Sequence, residues 1–328
     1  MAIKNRYEFM YYVSYRNCNP NGDPDMGNTP RIDPQTMQGY ITDVAIKRRI
    51  RDYVGTAYDG NSGMNIIIQK STNINRHIAE AKINAGVDES DKTKNPVYSA
   101  RQKACEMFYD VRTFGAVMST GPNAGQVRGP VQFSFGKSLD PILPLDIAIT
   151  RMAIAEGDTL EAARKAEEQK DEDKLRTMGR KQIIPFGLYE IRGFISANLA
   201  AETGFDDEDL RILFESILNM YEHDRSASKG EVSIVSPLII FKHVGTDSDA
   251  VQRIRQCKLG CAPAHKLFEL VEVTKKAEVE YPRSYRDYNA VVHINKLPAG
   301  VQIGFKSGAF DEICWDKLPD SEDWMING

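Results

Sequence analysis

The sequence predicts an α+β fold with a ferredoxin-like core, the split βαβ arrangement. Two segments, Arg6–Tyr15 and Tyr189–Leu199, alternate apolar and polar residues as β-strands do. Helical spacing of apolar residues follows each of them, over Ile46–Val54 and Leu210–Tyr221, and a further apolar strand pattern covers Val232–His243. This order suits a split βαβ core with one open sheet face, the face that RNA-recognition domains of this topology use for single strands.

Composition describes an ordinary globular chain. The 328 residues carry a formal net charge of −4, and the isoelectric point is about 5.8. This balance counts against a generic nucleic-acid-binding protein but allows a local basic groove. The odd number of cysteines, five, favours reduced thiols. The N-terminal residues lack the apolar core of a signal peptide, and no segment is apolar enough to span a membrane, so we expect a cytoplasmic protein.

The first strand is predicted to be half-buried, because one of its faces is consistently apolar. That face carries Tyr7, Phe9, Tyr11, Val13 and Tyr15. The following segment, Asn17–Gly39, is rich in Asn, Pro and Gly and has no apolar period, so we expect a loop.

A short helix after this loop is predicted to carry a basic face. Its apolar stripe comprises Ile46, Ile50, Tyr53 and Val54, and Lys47, Arg48 and Arg51 lie largely on the other side. The cations suit a polyanion whose phosphates they bind, with loop N–H groups and polar side chains such as Asn19, Asn21 and Arg31 completing the site. A solvated helix face is the simpler alternative, because most charged faces are solvated.

Two segments are predicted to be insertions into the core. After a short strand at Met64–Gln69, helices are expected at Asn73–Ala85 and Ser99–Tyr109, with a polar loop at Gly86–Asn95 between them. These helices have too few apolar residues for a core of their own. Next, Val111–Met118 and Pro130–Phe135 are predicted to form a hairpin, to which Arg112, Arg128 and Lys137 bring positive charge.

The second insertion covers residues 143–184. Leu145–Ala153 has the composition of a strand, and Asp158–Arg176 is highly charged without an apolar stripe, which is typical of a solvated helix. Gly179 is predicted to make a turn, and Arg180 and Lys181 form a positive pair beside Met178.

In the second half of the chain, Asp206 is predicted to cap the helix that contains Leu210–Tyr221. A polar loop at His223–Gly230 precedes the strand Val232–His243. The remaining elements predicted are a helix near Pro263–Val271 and strands at Ala290–Ile294 and Val301–Phe305.

No motif predicts an enzyme, a metal site or a cofactor. In the first loop, Asn19, Asn21, Asp23 and Asp25 alternate as calcium ligands do, but the glycine is misplaced for a calcium loop. Asp23, Asp25 and Asp33 could hold Mg²⁺ for phosphodiester hydrolysis, although such residues in Pro/Gly loops are far more often turn formers. The set Cys257, Cys261 and His265 lacks a fourth zinc ligand.

Several segments, taken in order, carry a family resemblance. They are NPNGDPD, PRID and TDVAIKRRIR, then DVRTFGAVMS and RGPVQFSFGKSLDPI, then MGRKQIIPFGLYEIRGFISANLA, TGFDDEDL and HDRSASKG. Together these segments, from about residue 5 to about residue 275, resemble the Cas-seven family of backbone subunits of CRISPR Cascade surveillance complexes, in its type I-C form.

The resemblance implies a ferredoxin-like (RRM-like) palm with a finger-like and a thumb-like hairpin insertion. By position, the palm comprises residues 1–69, 111–139 and 185–275, the finger 70–110 and the thumb 140–184, with a C-terminal tail, 276–328, packed on the palm. The implied RNA contacts are Thr42, Lys47, Arg48 and Arg51 on the basic helix, Met178, Arg180 and Lys181 on the thumb, and Arg225 and Lys229 in the later loop.

The implied function is non-catalytic and structural. Copies would assemble head to tail along one CRISPR RNA, hold its phosphate backbone and present it to a target DNA strand, in antiviral defence. The other implied partners are a large subunit and an RNA-processing end subunit of Cascade. One alternative is a metal-dependent endoribonuclease subunit of a type III-like complex that uses a loop aspartate. Another is a metabolic enzyme with a phosphate-binding Gly/Asn loop.

Overall fold

A computed structural model describes residues 1–86, 95–171 and 174–318 of the chain, so most of the loop predicted at Gly86–Asn95 lies outside the described residues. The strands are β1 (Tyr7–Cys18), β2 (Gly22–Asp23), β3 (Thr29–Pro30), β4 (Gln38–Ile41), β5 (Gly115–Met118), β6 (Gly125–Arg128), β7 (Val131–Phe133), β8 (Gly136–Pro141), β9 (Leu145–Arg151), β10 (Thr177–Ile195), β11 (Glu231–Ile234), β12 (Leu238–His243), β13 (Val271–Lys275), β14 (Tyr288–Val292), β15 (Val301–Lys306) and β16 (Cys314–Trp315). The α-helices are α1 (Asp43–Ala57), α2 (Ile74–Asn84), α3 (Pro96–Met107), α4 (Tyr109–Phe114), α5 (Leu160–Glu168), α6 (Ala197–Thr203), α7 (Asp207–His223), α8 (Ala250–Leu259) and α9 (Ala264–Phe268).

One large antiparallel sheet organises the α+β fold. Its strand order is β16–β15–β12–β1–β10–β8–β4, and β11 pairs with β1 while β7 and β9 pair with β10. The two central strands, β1 and β10, pair from Tyr7 with Ile195 to Cys18 with Ile184. Because β10 is longer than β1, its first residues extend past the sheet and pair with β9 instead.

Both faces of β1 are buried, so the prediction of a half-buried strand is wrong. Tyr7, Phe9 and Tyr11 pack in a cluster with the apolar stripes of α1 and α7. On the other face, Met10 and Tyr12 belong to a second hydrophobic cluster. The alternation that suggested a polar face arose because tyrosine and methionine can fill a core as well as lie at a surface.

The second sheet face is covered, and the expectation of an open face is also wrong. Residues of α9 and of the β13–β14 pair, among them Phe268, Leu270 and Tyr288, pack onto Met10, Tyr12 and neighbouring sheet residues. The covering residues come from beyond residue 260, more than two hundred residues after β1, so local patterns in the strand could not indicate them. This layer leaves a cavity between β10 and α9, which is lined by Arg192, Phe194 and Phe268.

The helices α2 and α3 form as predicted, but they have a small core of their own. Ile78 of α2 and Ala104 of α3 cluster with Phe108, and Met118 and Ala124 of the β5–β6 hairpin complete the cluster. The helices alone would have lacked sufficient apolar surface, and the hairpin supplies the remainder.

The hairpin differs from the predicted one. Residues 109–114 form α4, and β5 pairs with β6 instead of with the strand that follows. Gly115 turns the chain at this point with φ of 81°, and a Cβ there would lie 2.3 Å from the carbonyl oxygen of Val127. The predicted strand Met64–Gln69 is reduced to a single bridge between Asn65 and Phe108, although Ile66 and Ile67 are buried as an apolar run should be.

The predicted second insertion is a hairpin built from β9 and the first part of β10. Gly179 does not turn the chain, because it is paired with Ile149 inside this ladder. Every residue of β9 is exposed, and α5 has no buried residue. The hairpin therefore projects from the sheet, and the charged helix α5 between its two strands is solvated.

Replacing residues 159–170 by a short Gly/Ser linker is expected to change the free energy of unfolding by less than about 0.5 kcal/mol, because the removed helix contributes no buried side chain. Thermal unfolding followed by circular dichroism tests this expectation. The contrasting control is Ile78→Ala in α2, whose side chain is fully buried and whose loss should cost about 2–5 kcal/mol. A deletion variant that unfolds as readily as the Ile78 variant would contradict the expectation.

The second half of the chain follows the prediction in most elements. Asp206 caps α7 and forms a reciprocal capping box with Asp209. The strand predicted at Val232–His243 is divided into β11 and β12 around Ser236 and Pro237, since proline cannot donate to a ladder. The helix near Pro263 is only α9, and α8 was not predicted, because its residues are all exposed or half-buried and give little apolar period.

Candidate nucleic-acid interface

The Asn-rich loop after β1 is fastened to the start of α1. The Asn21 side-chain oxygen accepts hydrogen bonds from the Thr42 backbone N–H at 2.9 Å and from its hydroxyl at 3.0 Å. Thr42 is the N-cap of α1, and its hydroxyl oxygen accepts from the backbone N–H of Ala45. The loop therefore has a fixed position against the basic helix, and Asn21 and Thr42 act as positioning residues.

One cavity, of about 320 Å³, lies between this loop, α1 and the loop after α7. Its lining includes Asn19, Asn21, Arg48 and Lys229, four of the residues predicted to bind RNA. Asn19 is buried and ties the two loops together, because its backbone N–H donates to Ser228 and its side-chain amide donates to the carbonyl of Asn28.

A second cavity, of about 290 Å³, lies at the base of the β9–β10 hairpin. It is lined by Arg180 and Lys181, two more predicted residues, and it shares Asn28 and Ser228 with the first cavity. The Lys181 ammonium donates to the carbonyl oxygen of Ala227, which joins the hairpin base to the later loop. We call the two cavities together the basic groove.

Positive charge exceeds negative charge along the basic groove. The cations are Arg48, Arg49, Arg180, Lys181 and Lys229, and the acids are Asp52, Asp146 and Asp224. Two of the four ion pairs among these residues are exposed: Arg48 with Asp52, and Arg180 with Asp146, in which the Arg180 side chain is 80% exposed and lies 3.1 Å from the carboxylate. Exposed ion pairs contribute little to stability, about 0–1 kcal/mol, so Arg48 and Arg180 can exchange their carboxylates for phosphates at small cost.

Arg49 is a groove residue that the sequence reasoning missed. Its guanidinium lies over the Tyr221 ring at 5.2 Å, donates to the carbonyl oxygen of Pro20 and is 3.5 Å from Asp224. The sequence does contain a signal for Arg49, because it is a cation on the buried side of the helix, between Ile46 and Ile50. Arg49 holds the loop, α1 and α7 together beneath the exposed cations.

Two cations of α1 are not on the exposed face, which corrects the predicted geometry. Arg51 is buried, and its Nε lies 2.7 Å from the carboxylate of the fully buried Asp110. The Lys47 side chain is only 12% exposed, and its ammonium lies between Asp43 at 3.0 Å and Gln132 at 3.2 Å. The α4 region packs over this side of the helix, so neither residue faces the basic groove.

Four further predicted residues also lie outside the groove lining. Arg31 pairs with Asp23 at 2.9 Å, and Arg225 bonds to the carbonyl oxygen of Gly230 and pairs with Glu222. Arg128 is exposed on β6, and Met178 is exposed on the projecting hairpin. None of these four side chains lines either cavity of the basic groove.

The loop aspartates act as turn formers. Asp23 caps a short 3₁₀ turn and binds Arg31, and Asp33 accepts from the Gln35 backbone N–H and the Tyr40 hydroxyl. These two bonds lower the pKa of Asp33 below its usual value. In the described ranges, no three His, Cys, Asp or Glu residues are grouped as a metal site requires.

Asn21→Ala is expected to lower the free energy of unfolding by about 1–2 kcal/mol, because two hydrogen bonds to the helix cap are lost and the Thr42 N–H loses its partner. Urea titration measures the difference. Asn198→Ala serves as the control, since that exposed side chain makes only a local bond to Glu202 within α6. Equal stability of the two variants would show that the loop is not fastened through Asn21.

No helix in the described part of the chain is both long and apolar enough to cross a bilayer.

Comparison with known proteins places most of the chain in one family. The family model for CRISPR-associated protein Cas7 matches residues 5–294. A CRISPR-associated protein Cas7 of Haloferax volcanii is 32% identical over 163 residues, which cover 43% of this chain and 45% of that relative. The chain thus aligns with less than half the length of this curated relative.

Two solved structures are also similar over much of their length. A chain of a CRISPR RNA-guided surveillance complex in a pre-nicking state has a TM-score of 0.44 at 12% identity, over 79% of this chain and 83% of that chain. A chain of a second CRISPR RNA-guided surveillance complex has a TM-score of 0.39 at 10% identity, over 79% and 82%. On the extent of the family match, the chain belongs to the CRISPR-associated protein Cas7 family.

Proposed function

We propose that this chain is a non-catalytic CRISPR RNA-binding backbone subunit of a type I-C Cascade complex, located in the cytoplasm. Copies assemble head to tail along one guide RNA, hold its phosphate backbone and present its bases to a target DNA strand. The large subunit and the RNA-processing end subunit of Cascade complete the assembly. Base pairing supplies the sequence specificity, so the protein needs backbone contacts alone.

The basic groove is the observation that carries this proposal. It brings six predicted residues from four separate segments into two adjoining cavities, including Arg48, Arg180, Lys181 and Lys229. Cations on a helix, a strand and a loop that converge on one groove suit a phosphate backbone. A narrow groove of this kind on an acidic chain is sufficient for a subunit that shares a guide with neighbouring copies.

The fold is consistent with the proposed ferredoxin-like, RRM-like palm. The order β12–β1–β10–β8 with α1 and α7 on one face is the one expected for a split βαβ pair. In this proposal, α2, α3 and the β5–β6 hairpin form the finger, and β9, α5 and the start of β10 form the thumb. Head-to-tail contacts produce an open helical assembly because their two surfaces differ.

Co-expression with the neighbouring genes and a CRISPR array tests the proposal. We expect a large assembly on a sizing column at moderate salt, with RNA of uniform length. A nucleic-acid-free monomer or a small closed oligomer would overturn the proposal.

The absence of catalysis is tested by incubating the assembly with complementary RNA and Mg²⁺. Cleavage at regular intervals that is lost in Asp33→Ala would establish the endoribonuclease alternative instead.

A further inference from the structure

A cavity of about 500 Å³ lies away from the basic groove, on the sheet face opposite α1. Its floor is formed by Arg192 and Phe194 of β10 and by Phe268 of α9, and Phe268 belongs to the hydrophobic cluster on that face. Phe135, in the connection from β7 to β8, forms one wall. No residue of the basic groove lines this cavity.

The cavity presents planar groups to solvent. Phe135 is 52% exposed, and its ring makes an edge contact with the Tyr40 ring at 6.5 Å between centroids, so a large part of the ring is open to solvent. The Arg192 guanidinium lies over the Phe268 ring at 4.9 Å, so one of its faces is stacked within the protein. Its Nε lies 2.5 Å from Glu190, which holds the guanidinium in place.

The rim of the cavity is positively charged. Lys137 is exposed, and within the described ranges no carboxylate lies at ion-pair distance from its ammonium, which lies 5.5 Å from the Tyr40 ring. His265 is exposed on the opposite wall. The single acid of the lining, Glu190, is engaged by Arg192 and by the hydroxyl of Tyr12 at 3.0 Å.

Aromatic faces beside a rigid guanidinium and an unpaired ammonium are the means by which proteins hold single-stranded nucleic acid. A base stacks on the ring or on the guanidinium, and the ammonium binds a neighbouring phosphate. We infer that this cavity is a second binding site for single-stranded nucleic acid, in which an unstacked base lies against Phe135 and Arg192 and a phosphate lies at Lys137. The site would bind a strand other than the one in the basic groove. The contacts at Phe135, Arg192 and Lys137 are the same whichever strand that is.

The full-length protein with Arg48→Gln and Lys229→Gln, which weaken the basic groove, is the background for the test. The probe is a fluorescent ten-nucleotide thymidine DNA, with binding followed by anisotropy. Phe135→Ala in this background is expected to reduce affinity by about tenfold, as loss of a base–aromatic stack does. Phe310→Ala is the matched control, since that ring is 81% exposed and lies outside the cavity.

Two further measurements separate base stacking from general attraction of anions. An abasic oligonucleotide with the same number of phosphates should bind the background protein about as weakly as the thymidine DNA binds the Phe135 variant. A 5-bromodeoxyuridine probe should crosslink to the peptide that contains Phe135. Equal binding of the abasic and thymidine probes, equal effects of the Phe135 and Phe310 variants, or crosslinks confined to other peptides would each overturn the inference. Each result is obtained without a guide RNA, so the inference can fail while the proposed guide-binding role stands.

Discussion

Arg51→Ala is expected to lower the free energy of unfolding by about 3–5 kcal/mol, which is a large part of the 5–15 kcal/mol typical of a folded protein. Asp110 is completely buried and accepts from Arg51 at 2.7 Å and from the backbone N–H groups of Ile67 and Ile68 at 2.9 and 3.3 Å. Removal of the guanidinium leaves a carboxylate in the interior without its counter-charge. Urea unfolding followed by tryptophan fluorescence and circular dichroism measures the loss.

Arg48→Ala is the matched control on the same helix, one turn before. Arg48 pairs with Asp52, but both side chains are well exposed, at 38% and 40%, so the pair should contribute no more than about 1 kcal/mol. A second variant, Arg51→Met with Asp110→Asn, should regain part of the loss, because the amide oxygen still accepts from Ile67 and no charge remains buried. If the Arg51→Ala protein has normal stability and is defective only in RNA binding, the buried position of Arg51 is contradicted and Arg51 lies on the exposed face of α1.

The contrast between these two arginines shows which features of α1 could be predicted from the sequence and which could not. The position of α1 and its apolar stripe could be predicted, because helical periodicity is a local property. Which cations faced solvent could not be predicted, because the α4 segment that buries Arg51 lies about sixty residues later. The same limitation hid Arg49, whose partners Pro20, Tyr221 and Asp224 come from three different segments.

The sheet likewise has some features that local sequence patterns determine and others that depend on distant segments. The start of β1 and the capped start of α7 follow from local patterns, whereas β1 continues to Cys18, three residues beyond its predicted end. The burial of Met10 and Tyr12 depends on α9 and the β13–β14 pair, and nothing within β1 indicates that covering layer. The basic groove was predicted in composition but not in shape: the link between Lys181 and the loop carbonyl of Ala227 is a contact across 46 residues.

Replacing Arg48, Lys181 and Lys229 together by glutamine is expected to reduce affinity for single-stranded RNA on the order of 100-fold near 0.1 M salt, with little change in stability. Each cation that binds a phosphate contributes about 0.7 to the slope of log affinity against log salt concentration on single strands, or about fivefold at 0.1 M. The slope should therefore fall by about 2 units, equally for RNAs of unrelated sequence. Fluorescence anisotropy across a salt series measures both quantities.

The control must remove equal charge elsewhere, because any loss of three positive charges from a chain with net charge −4 weakens its attraction for RNA at a distance. Lys4, Arg253 and Arg255 are exposed and line neither cavity of the basic groove, so their replacement by glutamine is a matched change. If both triple variants lose the same affinity and slope, the attraction is general and the groove binds nothing specifically. If the salt dependence of affinity becomes shallower only in the groove variant, the phosphates lie against those three side chains. Counterion release requires contact with the phosphates and not net charge alone.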